Sequence, residues 1–236
     1  MMRLSAPVHR LKCRARLLAR QENIPLHEAH DRIARQERFA GWSLLFARLG
    51  THAPIPSLLP ALAEGDMLLI GARPGQGKTR FGLQLLVDAA REGRRAVFFT
   101  LEYTGREAME RIRSLDGDPA GNAVEVVTSD EICAGFIIRH LSDASRGTVA
   151  VIDYLQILDQ QRSKPPLPEQ IEALQDFARS TGIVLGFISQ IDRHFDPLRA
   201  PVPGLSDLRL PNPVQAGLFF RACFLHAGEI RLQHMG

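Results

Sequence analysis

Gly71-Ala72-Arg73-Pro74-Gly75-Gln76-Gly77-Lys78-Thr79 follows the apolar run Met67-Leu68-Leu69-Ile70 and opens a segment of helical periodicity. That strand–turn–helix setting decides the fold class. Glycines at 75 and 77 let backbone N–H groups curl around phosphate oxygens, and the helix N-terminus adds partial positive charge. Lys78 can reach the β- and γ-phosphates, and the Thr79 hydroxyl can ligate Mg²⁺. Ala72 stands where the first glycine of the strict pattern is usual, a place where alanine tolerates the extended entry to the loop. Ala72, Arg73, Pro74, Gly75, Gln76, Gly77, Lys78, Thr79 and Arg80 are therefore the expected nucleotide-binding segment.

Outward from this loop, apolar strands alternate with helices. Strands are predicted at Met67–Gly71, Ala96–Thr100, Val124–Thr128, Val149–Asp153 and Ile183–Ser189, with two short ones at Ala222–His226 and Glu229–Gln233. Helices are predicted at Thr79–Glu92, Arg106–Ser114 and Pro168–Ser180, and another runs to His140 with Ser129 as its N-cap. Near-continuous apolar strands between helices imply an α/β fold: a mostly parallel sheet flanked by helices. Lys164-Pro165-Pro166-Leu167-Pro168 reads as a mobile loop.

The 236 residues leave room for one sizeable α/β domain and a small appendage. Residues 1–50 read as a basic helical appendage, with Leu11, Ala15, Leu18 and Ala19 at helical spacing and a break at Asn23-Ile24-Pro25. Trp42, Leu45 and Leu49 suggest a short third piece. Residues 51–63, rich in proline, read as a linker, and 64–236 as the core. The net charge of +3 hides an asymmetry: residues 1–50 carry ten Lys/Arg against four Asp/Glu, a net +6. A basic arm on a slightly acidic core suits a polyanionic partner. No apolar run reaches membrane-spanning length and no secretory leader is read at the N-terminus. Cys13, Cys133 and Cys223 lack metal or disulfide spacing. These features predict a cytoplasmic protein with no membrane partner.

Two further strands end in an acid. Val149-Ala150-Val151-Ile152-Asp153 places Asp153 beside a metal, and Val97-Phe98-Phe99-Thr100-Leu101-Glu102 brings a second carboxylate to the same sheet end. Gly186-Phe187-Ile188-Ser189-Gln190 presents a third polar tip, where Gln190 can sense the γ-phosphate. An acid after a strand is often only a helix cap, but three polar tips in order after a phosphate loop make a site.

With these residues assembled, the chain resembles the ATPase domain of DnaB-like replicative DNA helicases. Gly71-Ala72-Arg73-Pro74 with Gly77-Lys78-Thr79, Phe98-Phe99-Thr100-Leu101-Glu102, Val151-Ile152-Asp153-Tyr154-Leu155-Gln156, Ser189-Gln190 with Arg193, and Ser206-Asp207-Leu208-Arg209 match its motifs in order, from about residue 64 to 210. The resemblance implies a RecA-like P-loop NTPase that uses ATP and Mg²⁺. Glu102, Lys78 and Gln190 are then the catalytic group, with Glu102 activating water, and Thr79 and Asp153 serve the metal. Arg193, Arg199 and Arg209 become candidates for contact with DNA, read as single-stranded, and homo-oligomeric assembly is expected. The sequence departs from the family in three places. It is expected to be a short form without the family's separate N-terminal domain. Leu210-Pro211-Asn212-Pro213 replaces an acidic stretch. The C-terminal hairpin that reaches a neighbouring subunit has only Arg231 as a counterpart. The competing reading is a RecA-type nucleotide-dependent switch that binds DNA or protein without unwinding.

Overall fold

The computed structural model describes residues 5–6, 8–22, 24–42, 45, 57–116, 123–159, 164–191, 195, 202–208, 218–226 and 229–235. The chain divides into two compact units, Met1–Pro54 and Ile55–Gly236.

In the first unit, α1 (Val8–Glu22) and α2 (Leu26–Gln36) are joined across Pro25, which precedes the first turn of α2. Proline lacks the N–H that the first turn leaves unpaired, so it starts a helix without cost. Leu11 and Ala15 of α1 are buried with Ala29, Ile33 and Ala34 of α2 and with Leu45, forming a small separate core. The rest of the expected third helical piece lies largely outside the described residues.

The second unit is built on a seven-stranded sheet. Its strands are β1 (Met67–Ala72), β2 (Ala96–Thr100), β3 (Val124–Val127), β4 (Val149–Asp153), β5 (Val184–Gln190), β6 (Arg221–His226) and β7 (Glu229–His234). Their spatial order is β3-β2-β4-β5-β1-β6-β7. All neighbours are parallel except β6 and β7, which pair antiparallel. Every residue of β1, β2 and β4 is buried, as expected for a parallel sheet covered on both faces.

The helices are α3 (Lys78–Arg91), α4 (Gly105–Asp116), α5 (Ala134–His140) and α6 (Leu167–Thr181). Phe81, Leu85 and Leu86 of α3 share one core with Ile70, Phe98, Val151 and Ile188. On the opposite face, Ile137 of α5 and Ile171 and Leu174 of α6 pack with Leu69, Phe99, Ile152 and Phe187.

Three expectations need correction. Ser129 does not cap a long helix. Its hydroxyl accepts the Glu131 N–H at 3.2 Å within a turn, and α5 begins only at Ala134. The cap comes instead from a distant side chain: buried Gln170 accepts the Ala134 N–H at 2.9 Å and donates to Leu158 O and Pro165 O, both at 2.7 Å. Residues 164–168 are not a free loop. Lys164 donates to Ile132 O at 2.9 Å and Asp130 O at 3.2 Å, and Leu167 is fully buried as the first residue of α6. The linker reading of 51–63 extends too far, because Leu58 and Leu59 are buried in the core around α3.

Candidate active site

The loop after β1 needs two left-handed residues, and glycine supplies both: Gly75 at φ +75° and Gly77 at φ +85°. A Cβ at either would meet no atom within 4 Å, so the loop surrounds open space. Gly77 is the N-cap of α3, and its carbonyl accepts the Phe81 N–H at 2.9 Å. Lys78 and Thr79 therefore stand in the first turn of α3, where the helix favours an anion.

Pleat alternation puts the strand tips on the same face. Ile70 and Ala72, Phe98, Val149 and Val151, and Ile188 all face α3. Thr100, Asp153 and Gln190 lie in phase with them, at or near the C-terminal ends of β2, β4 and β5. Thr100 is opposite Asp153, and Gln190 is level with Ala72 on β1.

Asp153 is fully buried, and neither of its oxygens has a hydrogen-bond partner among the described residues. Burial pushes its pKa up to about 6. Lys78 opposes that rise, Glu102 reinforces it, and the Thr79 hydroxyl favours the anion without closing a well-formed hydrogen bond. Lys78 itself is buried, and its Nζ lies 4.0 Å from Glu102 Oε2. Lys78, Thr79, Glu102 and Asp153 thus meet in one place. Register brings Gln190 to the same end of the sheet. Arg193, Arg199 and Arg209 lie outside the described residues.

The orphaned buried carboxylate beside a hydroxyl and an open glycine cradle fits a hard cation carried in by a phosphate. Mg²⁺ takes few protein ligands and keeps waters and substrate oxygens. The described residues contain no cluster of three or more His, Cys, Asp or Glu side chains placed to enclose a metal.

Arg73 and Arg80 behave differently from the rest of the segment. Arg73 donates to Phe195 O at 2.7 Å, with its guanidinium 5.6 Å from the Phe195 ring. Its side chain thereby ties the loop to the segment after β5. Arg80 is half-buried on α3, and burial lowers its pKa.

Two residues escaped the sequence reading. Thr100, fully buried, accepts the Glu102 N–H at 3.1 Å and so fixes the turn that carries the carboxylate. A lone hydroxyl closing the apolar run Ala96–Phe99 was its signal. Arg111 stacks over the Tyr103 ring at 4.4 Å, and its charge favours ionised Asp153. Only its turn of α4, facing the Glu102 segment, could have marked it.

Residues 54–128 match the family described as the DnaB-like helicase C terminal domain. The replicative DNA helicase DnaB of Mycoplasma pneumoniae is 26% identical, over 69% of this chain and 43% of that protein. A probable plasmid replicative DNA helicase of Chlamydia muridarum is 28% identical, over 63% of this chain and 40% of that protein. The chain thus spans about two fifths of these curated relatives' length.

Solved structures agree on the fold. One solved ATPase domain superposes with a TM-score of 0.59 at 18% identity, covering 77% of this chain and 80% of that one. A DnaB-like replicative helicase, described with its interactions with primase, gives 0.58 at 15% identity over 91% of this chain and 65% of that one. The KaiC-like protein PH0186 of Pyrococcus horikoshii gives 0.53 at 16% identity, over 73% and 80%. The fold is therefore a RecA-like sheet, and the site stands at its strand C-termini. No described helix is long and apolar enough to cross a membrane.

Proposed function

We propose that this chain is a Mg²⁺-dependent ATPase of the DnaB-like helicase type that acts on DNA. The observation that supports the reading best is the meeting of Lys78, Thr79, Glu102 and Asp153 around the open mouth of the glycine loop. Backbone N–H groups of residues 75–79 and the Lys78 ammonium would bind the phosphates, while Thr79 and Asp153 would hold the cation. Mg²⁺, when bound there, would supply charge neutralisation to the phosphates. Glu102, partly open to solvent, accepts a proton from the attacking water, and Gln190 follows the state of the γ-phosphate.

Its relatives are named as replicative DNA helicases, so single-stranded DNA is the natural partner to test. ATP turnover measured with and without single-stranded DNA, over a range of protein concentration, tests hydrolysis, coupling and homo-oligomeric assembly together. Stimulation by DNA that grows with protein concentration is expected, and Lys78→Ala abolishes it. Turnover with no response to DNA, or stimulation without separation of a duplex, favours a nucleotide-dependent switch. No turnover at all overturns the assignment.

A further inference from the structure

The N-terminal unit sorts its charges. All four of its carboxylates are engaged internally: Arg32 pairs with Glu22 and, at 2.9 Å, with Glu28; Asp31 accepts the Trp42 N–H at 2.8 Å; Glu37 accepts the Ser5 N–H at 2.8 Å. Arg14 donates to Gln36 at 3.1 Å. The side chains of Arg16, Arg20, Arg35 and Arg38, by contrast, are exposed and have no hydrogen-bond or ion-pair partner among the described residues. Arg16 and Arg20 are one turn apart and share a stripe of α1.

Arg38 adds an independent sign. It sits at φ +66°, in the region that favours glycine. It stops α2, with the Phe39 N–H donating to Ala34 O at 2.9 Å and its own N–H to Arg35 O at 3.0 Å. Glycine would close this helix end without strain. A charged side chain held in a disfavoured conformation at the surface points to use rather than to packing.

Chemistry narrows the partner. Nine of the ten basic residues in 1–50 are arginine, whose planar fork suits phosphate oxygens in pairs. A bilayer surface fits poorly, because the apolar side of α1 is already spent on α2 and, among its described side chains, Leu17, 56% exposed, is the one large apolar group that projects.

We propose that this helical pair is a sequence-independent nucleic-acid-binding module, in which Arg16, Arg20, Arg35 and Arg38 contact backbone phosphates of a single strand. It acts separately from the ATPase site and stands whether or not the core hydrolyses ATP. The test uses the full chain without nucleotide, binding a labelled oligothymidylate by fluorescence anisotropy between about 50 and 200 mM salt. Each contact to a single strand contributes about 0.7 to the slope of log affinity against log salt. Replacing the four arginines by Gln should therefore flatten the slope by about 3, so that native binding loses roughly 50-fold more across that range. The four-Lys variant should keep the slope. Arg38→Gly, which relieves the helix end, should flatten it by about 0.7 while preserving the helical circular dichroism. An unchanged slope in a folded four-Gln chain overturns the proposal. So does a chain whose four arginines govern binding to phosphatidylserine vesicles but leave oligothymidylate binding unaltered.

Discussion

Lys78 Nζ and Glu102 Oε2 stand 4.0 Å apart, close enough to feel each other's charge but too far to hydrogen bond. Neither side chain is consumed by the other. In the proposed reaction the ammonium keeps its donors for phosphate, and the carboxylate keeps its lone pairs for water.

Glu102→Gln should therefore retain ATP binding while lowering turnover by roughly 10²–10⁴-fold. Because the Glu102 charge raises the Asp153 pKa, the same change should also let Asp153 ionise at lower pH. Nucleotide titrations with Mg²⁺ at several pH values check this, and an acid limb that stays in place separates the two carboxylates.

Asp153 carries a stability cost of definite sign. The unfolded carboxyl ionises near its ordinary 3.8, and the folded one near 6. Between those values the folded chain holds the extra proton, so the contribution of Asp153 to stability is fully present below about pH 4 and is lost as pH rises to about 6. The loss is about 3 kcal/mol. In metal-free protein, Asp153→Asn should raise the melting temperature by several degrees at pH 7 and hardly at pH 4, while removing Mg²⁺-dependent turnover. Equal shifts at both pH values would contradict the account.

Gly71 lies where β1 passes under Phe224 of β6. A Cβ there would stand 2.8 Å from Phe224 Cδ1 and 2.9 Å from Cε1. Gly71→Ala should cost roughly 1–3 kcal/mol in urea unfolding, and a second change, Phe224→Leu, should recover much of it. Additive losses in the double variant would place the clash elsewhere.

Gln170 joins three backbone groups from three segments: Ala134 N, Leu158 O and Pro165 O. Gln170→Leu keeps the size of the side chain but strands those groups. A loss of about 2–4 kcal/mol follows, seen as a lower denaturant midpoint with an unchanged slope. Faster hydrogen exchange at the Ala134 amide would locate the damage.

These cases show what was legible beforehand. Strands such as Ala96–Thr100 and Val149–Asp153 were readable to the residue, because a strand buried on both faces must be apolar throughout. The convergence of Lys78, Thr79, Glu102 and Asp153 followed from strand ends in a parallel sheet. The start of α5 was not readable, since its cap is supplied by Gln170 from 36 positions away. The Lys164 segment misled for a similar reason: polarity and prolines suggest a loop, while its anchors are carbonyls that any residue could offer. Arg73 belonged to the loop motif, yet its head group is spent on Phe195, a tertiary contact without local signature.

Strand order also sets the order in which the protein can be made. β1 borders only β5 and β6, both encoded far downstream, whereas β3 and β4 both border β2. On a ribosome, the Met67–Ala72 segment must wait without a sheet partner until Val184–Gln190 has emerged. The setting of the glycine loop is thus completed late, and a chain truncated before β5 should be a client for chaperones rather than a nucleotide binder.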